Sequence, residues 1–183
     1  RLSPQIDIPI SIDTRKARVA ERALGEGAEI VNDISALRFD PKMVEVVAQS
    51  NAYVVLMHMQ GEPETMQLEP QYRDLLNEIK EFFQERITFA LSQGVARERI
   101  LLDPGLGFGK SIEKGHNLQL LKNLAYFKGF GQPLLVGPSR KAFIGKILDL
   151  PPMEREEGTM AAAAVAIMNG ANIIRAHEVK GML

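Results

Sequence analysis

Cysteine is absent from all 183 residues, which removes disulfides, thiolate nucleophiles and cysteine-ligated metals together. A reducing cytoplasm is the compatible setting. No apolar run approaches the roughly 18 residues a membrane span needs, and Arg1-Leu2-Ser3-Pro4-Gln5 does not form a signal peptide. The sequence reads as soluble, with no membrane partner. Charge of one sign is missing too: 22 Lys and Arg against 23 Asp and Glu leave a formal net charge of -1. The basic residues are spread along the chain, so no stripe argues for nucleic acid, and a small, partly anionic substrate is easier to accommodate. With no cysteine and no helical His-Glu-x-x-His pattern, a protein-ligated zinc site is not expected. The chain also lacks an initiator methionine and closes on Gly181-Met182-Leu183 without a terminal helix, so both ends are expected to be cuts.

What is present is an ordinary globular composition, 45% hydrophobic and 25% charged, and one domain over residues 1–183 is expected. Short Ile-, Val- and Leu-rich runs at 8–12, 29–31, 53–57, 100–102, 133–136 and 172–174 predict six strands. Their near-continuous apolar character suits parallel strands covered on both faces. Helices are expected between them. Thr14 can cap one running to about Gly25, and Asp40-Pro41 places a capping carboxylate before a proline at the first position of another, ending near Ser50. The longest pattern, 72–93, sets Leu75, Leu76, Ile79, Phe82, Phe83, Ile87 and Ala90 on one stripe, and Gly94 ends it. Further helices fit 113–128, 142–147 and 158–169, the alanines at 161–164 suggesting close packing on the sheet.

This alternation leaves an open doubly wound sheet or a closed (β/α)8 barrel. Polar residues stand at every predicted strand end: Asp13, Asn32 with Asp33, His58, Asp103, residues 139–141, then Arg175 and His177. An open sheet gathers its ligands where the strand order reverses, whereas a barrel collects them from many strands around one axis. The α/β barrel is favoured. A (β/α)8 barrel takes eight units and roughly 250 residues, so about six of the eight βα units are represented here.

The segment Asp103-Pro104-Gly105-Leu106-Gly107-Phe108-Gly109-Lys110-Ser111 fails as a phosphate-binding P-loop because Pro104 stands where glycine is needed. It fails as a dinucleotide fingerprint at Lys110. What remains is a carboxylate at a strand end and a loop whose alternate glycines let backbone approach a flat ligand, or else a plain strand-to-helix turn. Gly137-Pro138-Ser139-Arg140-Lys141 offers N–H groups, a hydroxyl and two cations, which make an anion site or a solvated basic turn. In Arg175-Ala176-His177 the two ionisable side chains share one strand face, where a guanidinium and an imidazole could grip a phosphate. His58 among apolar neighbours reads as structural, with Met57 or Met59 lining a pocket wall. His116 reads as a surface helix residue, and Asp33 and Asp7 as capping or solvated groups.

Taken together, Ile10-Ser11-Ile12-Asp13-Thr14, Val31-Asn32-Asp33-Ile34, Leu56-Met57-His58-Met59-Gln60-Gly61, the 103–110 loop, Ser139-Arg140-Lys141 and Arg175-Ala176-His177 resemble the successive motifs of dihydropteroate synthases. The resemblance covers nearly the whole chain. It implies a pterin-binding TIM barrel, incomplete at its N-terminus and cut short at its C-terminus. The implied enzyme is a transferase of folate biosynthesis that joins 6-hydroxymethyl-7,8-dihydropterin pyrophosphate to p-aminobenzoate. Mg²⁺ would assist, sulfonamides would compete, and a cytoplasmic homodimer is expected.

By the same resemblance, Asp13, Asn32, Met57, Asp103, Phe108, Lys141 and Arg175 would hold the pterin, and Ser139, Arg140, Lys141 and Phe108 the aminobenzoate. Arg175 and His177 would bind pyrophosphate, and Asp13, Lys141, Arg175 and His177 would carry catalysis. The Mg²⁺ ligand is expected from a loop before Arg1, with no metal ligand in this chain. One departure is Ala142, where some members carry a serine for the aminobenzoate carboxylate. The alternatives are a methyltetrahydrofolate:corrinoid methyltransferase-type barrel and a non-catalytic pterin-binding protein.

Overall fold

The protein is described by a computed structural model over residues 6–182; Arg1 to Gln5 and Leu183 lie outside the described residues. All six expected strands form, each parallel to its neighbours. They are β1 (Ser11–Asp13), β2 (Ile30–Asp33), β3 (Tyr53–Met57), β4 (Ile100–Asp103), β5 (Leu135–Val136) and β6 (Ile173–Ile174). The first four make one sheet in chain order, and β5 pairs with β6 in a second. Between them run α1 (Ala17–Gly25), α2 (Met43–Ser50), α3 (Leu75–Ser92), α4 (His116–Lys122), α5 (Ala142–Leu148) and α6 (Glu156–Met168).

The described chain divides into two compact units, one holding residues up to His58 together with 81–103, the other 59–80 together with residues from Pro104 onward. In the first, register fixes what the strand ends present. Asp13 pairs with Asn32, and Met57 with Asp103, so their side chains emerge at the same C-terminal edge. Val31, Val54, Leu56, Ile100 and Leu102 are fully buried beneath that edge, together with Phe83 of α3 and Met43 of α2. Each such side chain contributes roughly 1.5–3 kcal/mol by leaving water. In the second unit the core is Leu120, Leu124, Phe127, Leu134, Val136 and Ala166, and β6 adds to β5 through Leu135↔Ile173 and Val136↔Ile174.

Helix starts differ from the sequence reading, for reasons the side chains give. Thr14 does not cap α1: its Oγ1 accepts the Lys16 N–H at 3.1 Å, and the Ala17 N–H goes instead to Asp40 Oδ2 at 2.8 Å. Asp40 Oδ1 accepts from Lys42 at 3.1 Å, so one carboxylate serves the starts of α1 and α2. Pro41 consequently precedes α2 instead of opening it. α3 begins at Leu75, not Tyr72, because Asp74 Oδ1 accepts from Asn77 at 3.1 Å while Glu78 Oε1 accepts from Arg73 and Asp74, a capping box displaced by one residue.

The single helix expected over 113–128 is two pieces. Asn123 turns its Nδ2 back to the Gln119 carbonyl at 2.8 Å and leaves helical geometry, and a 3-10 helix over Leu124–Phe130 follows; such local amide bonds compete with helix continuation. Of the alanines at 161–164, only Ala162 and Ala163 are buried, Ala161 and Ala164 being exposed. The chain closes on a 3-10 helix over Lys180–Met182. Among the described residues, no helix is long and apolar enough to cross a membrane.

Candidate active site

In the first unit the strand-end residues meet in one hydrogen bond. Asn32 Nδ2 donates to Asp13 Oδ1 at 2.5 Å, which fixes the amide so that its oxygen faces away from the carboxylate. That oxygen, Oδ1, is buried and accepts no hydrogen bond among the described residues. Asn32 is 8% exposed and Asp103 7%, so both are polar groups withdrawn from water at the sheet's C-terminal edge. Met57 is buried beside Asp103 in register. His58 is buried as well, its ring set edge-on to Phe82 at 4.9 Å and its N–H donating to the Asp103 carbonyl at 2.9 Å, which fits the structural role read from its neighbours. Asp33 is fully buried and not solvated. Its carboxylate accepts from the Ser35 and Leu37 backbone and from the Ser35 hydroxyl, bracing the turn after β2.

In the second unit the glycine-rich loop is a rigid bed. Gly107 and Gly109 have φ of +77° and +60°, and a Cβ on Gly109 would lie 2.5 Å from the Gln60 carbonyl oxygen. Only glycine fits that approach. Lys141 runs along Gly107, where a Cβ would meet its Cδ at 3.1 Å, and its Nζ stands 4.2 Å from the centre of the Phe108 ring, within range of a cation–π attraction. The glycine loop and the basic turn are thereby joined through Lys141.

Residues that the sequence reading passed over hold this loop. Lys110 is 1% exposed and donates to the Phe108 carbonyl at 2.9 Å; Tyr72 Oη donates to the Gly109 carbonyl at 2.8 Å. Burial, then Glu78, raises the Tyr72 pKa far above the ordinary phenol range, so it remains a donor. Asn117 Oδ1 accepts from Gly107 at 2.8 Å. His116, expected on the surface, is buried: its Nδ1 accepts the Ser111 N–H at 3.1 Å and its ring meets Tyr72 edge-on. Burial and then Lys114 and Lys110 hold its pKa below the usual histidine range. The usable signal was the i, i+5 return of His116 onto Ser111 at a helix start, which periodicity does not register.

The basic turn and the end of β6 form the other part. β6 stops at Ile174, one residue short of Arg175, yet Arg175 N–H still donates to the Val136 carbonyl at 3.0 Å. His177 lies beyond the strand. It is placed by Ser139, whose Oγ accepts the His177 N–H at 3.2 Å and bonds its Nδ1 at 2.8 Å. When the Ser139 hydroxyl donates to Nδ1 the ring N–H is at Nε2, and in the other tautomer Nδ1–H donates to Oγ. Ser139 therefore orients the imidazole, and Arg175 and His177 both stand exposed. Arg140 turns toward Glu156, 3.8 Å away, and Met153 Sδ. A cleft of ≈ 810 Å³ in this unit is lined by Gly107, Asn117 and Ala142, among others, with Lys110, Lys114, Arg140, Lys141 and Arg155 outnumbering Glu69 and Glu113.

A family model described as Pterin binding enzyme matches residues 1–177. The dihydropteroate synthase of Synechocystis sp. is 50% identical over 182 residues, which are 99% of this chain and 62% of that protein. A crystal structure of the Yersinia pestis dihydropteroate synthase in complex with a sulfonamide drug superposes with a TM-score of 0.96 at 44% identity, over 99% of this chain and 65% of that one. The Xanthomonas albilineans dihydropteroate synthase in complex with 7,8-dihydropteroate gives 0.91 at 39% identity, over 100% and 66%. The chain thus spans about 62% of the length of the curated relative, and its α/β fold is that of six βα units of a (β/α)8 barrel.

Proposed function

Because the chain belongs to the pterin binding enzyme family, we propose that its protein is a dihydropteroate synthase. It condenses 6-hydroxymethyl-7,8-dihydropterin pyrophosphate with p-aminobenzoate and releases pyrophosphate. The observation that carries the pterin half is the buried Asn32 Oδ1 without a partner, an acceptor waiting for a ligand donor. A pterin edge supplies adjacent N–H groups, which Asn32 Oδ1 and the Asp103 carboxylate accept. Met57 closes the wall beside them, and the family resemblance implies Lys141 as the donor to ring acceptors.

At the reacting carbon, the aminobenzoate amine attacks the pterin methylene as its bond to the pyrophosphate oxygen breaks. Arg175 and His177 hold the departing pyrophosphate and stabilise the charge it gains. Asp13 offsets the positive charge growing on the methylene. No protein nucleophile takes part. The aminobenzoate has Phe108 against its ring and Ser139, Arg140 and Lys141 around its carboxylate end; Ala142 offers only its backbone there. Sulfonamides compete for that place.

When bound, Mg²⁺ would supply charge neutralisation to pyrophosphate. Among the described residues no group of three or more His, Asp or Glu side chains is placed to hold a metal ion, and no step is routed through one. We further propose a cytoplasmic homodimer.

The test separates this reading from a corrinoid methyltransferase and from a bare pterin binder. A synthase binds the pyrophosphate ester of the pterin more tightly than the pterin alcohol, and Arg175→Ala weakens the ester while leaving the alcohol almost unchanged. Calorimetry with both ligands, with and without Mg²⁺, reads the difference. Equal affinities in the wild type refute the assignment.

A further inference from the structure

The turn that carries Ser139 and Lys141 is strained at its middle residue. Lys141 N–H donates to the Pro138 carbonyl at 3.3 Å, and Arg140 between them sits at φ 56°, the left-handed region that a side chain adopts only when its surroundings enforce it. The strain matters because the three residues diverge from it: Ser139 to His177, Arg140 to Glu156, Lys141 onto Gly107 and Phe108. A flip of this turn to an ordinary conformation redirects all three.

What enforces it comes from the start of α6. Arg155, half-buried, donates from Nε to the Leu150 carbonyl at 2.9 Å and from Nη1 to the carbonyls of Arg140 at 3.0 Å and Lys141 at 3.5 Å. Thr159, fully buried, donates to the Arg155 carbonyl at 2.7 Å and accepts the Arg140 N–H at 3.1 Å. The guanidinium reaches the turn across α5 at Gly145, where an added Cβ would coincide with Arg155 Cζ, Nε and Nη2. Gly145 is neither at a turn nor at positive φ. Its want of a side chain is explained by the passage of Arg155.

We infer that Arg155, passing through the gap at Gly145, is a positioning residue that locks the Arg140 turn and so sets the placement of Lys141 and of the Ser139 and His177 pair. A guanidinium suits this task because its planar fork serves several carbonyls at fixed angles, which a lysine ammonium does not reproduce. The role of Lys141 and His177 in holding ligand rests on the reading given under Proposed function; the lock itself does not.

The test compares Arg155→Lys and Gly145→Ala with Gly158→Ala in the protein that carries this chain. A Cβ on Gly158 would press on Ile144 Cγ2 at 2.5 Å and Leu148 Cδ1 at 2.7 Å, disturbing α5 against α6 without meeting Arg155. NMR of the Lys141 amide and the His177 ring, thermal unfolding, and kcat and KM are read on each. Arg155→Lys and Gly145→Ala are expected to shift both resonances and to lower kcat/KM by roughly ten- to a hundredfold, the range for misplacement of a group by about an ångström. Gly158→Ala, at a similar loss of Tm, is expected to leave resonances and kcat/KM near wild type. The inference is overturned if the resonances do not move in Arg155→Lys, or if Gly158→Ala reproduces the whole effect. A wild type without synthase activity counts against the proposed function alone, since the resonances still decide the lock.

Discussion

Replacing Gly109 by alanine separates two costs that the structure assigns to one position. The first is conformational: at φ +60° an L-residue costs about 1–2 kcal/mol more than its right-handed form. The second is steric, because the new Cβ would stand 2.5 Å from the Gln60 carbonyl oxygen, 2.9 Å from its Cβ and 3.0 Å from its nitrogen. Two of those three atoms are backbone and cannot swing aside, so relief requires moving the chain, at about 1–3 kcal/mol. Together the terms reach about 2–5 kcal/mol, a large part of the roughly 5–15 kcal/mol that a domain has in total. Gly94 supplies the control: it too has positive φ, +91°, but nothing lies within 4 Å of its added Cβ. Urea unfolding followed by circular dichroism should show Gly94→Ala losing only the conformational term. Gly109→Ala should lose more, by about 1–3 kcal/mol. Equal losses at the two positions would refute the close packing of this loop on residue 60.

Stability should also depend on pH through His116. Its folded pKa lies below the unfolded value of 6.5, so the folded state favours the neutral ring, and protonation also removes the acceptor used by Ser111. The contribution is complete above about pH 6.5 and is lost as pH falls toward the folded pKa. His116→Gln should show a smaller drop in urea midpoint between pH 8 and pH 5 than wild type; identical drops would exclude His116 as the source. Asp40→Ala removes the acceptor for Ala17 and Lys42 and should cost about 1–3 kcal/mol. Hydrogen exchange should then quicken at the first amides of both α1 and α2, and quickening in one helix alone would contradict the shared cap.

Much of this architecture was legible because it rests on local pattern. All six strands were marked by apolar runs; β2 to β5 are buried as such runs imply, whereas β1 and β6 are largely exposed and were expected to be covered on both faces. The polar strand ends were legible for the same reason: Asp13, Asn32 and Asp103 interrupt runs that are otherwise apolar. Helix starts were not, because the group that caps α1 is Asp40, 23 residues downstream, and a cap supplied from elsewhere leaves no mark near the helix it serves. His116 was misread for a related reason. On α4 it looks like one polar residue among several, and its burial is set by Tyr72 and Ser111. Arg155 and Gly145 were likewise silent, since neither carries meaning until the chain brings them together.

The solitary carbonyl of Asn32 has a consequence for discrimination. A buried acceptor that the protein leaves unsatisfied favours an occupant that brings an N–H or O–H to it and penalises one that brings a lone pair. The preference is largest where water is excluded, and Asn32 is 8% exposed. Sites of this kind reject analogues lacking the donor far more strongly than sites that merely match shape, by factors that reach about 10⁴. Asp13 sharpens the effect, because its grip on Nδ2 at 2.5 Å disfavours the amide flip that would otherwise present a donor to the wrong ligand. A single amide, held at one end and empty at the other, thus filters heterocycles by where they keep their protons.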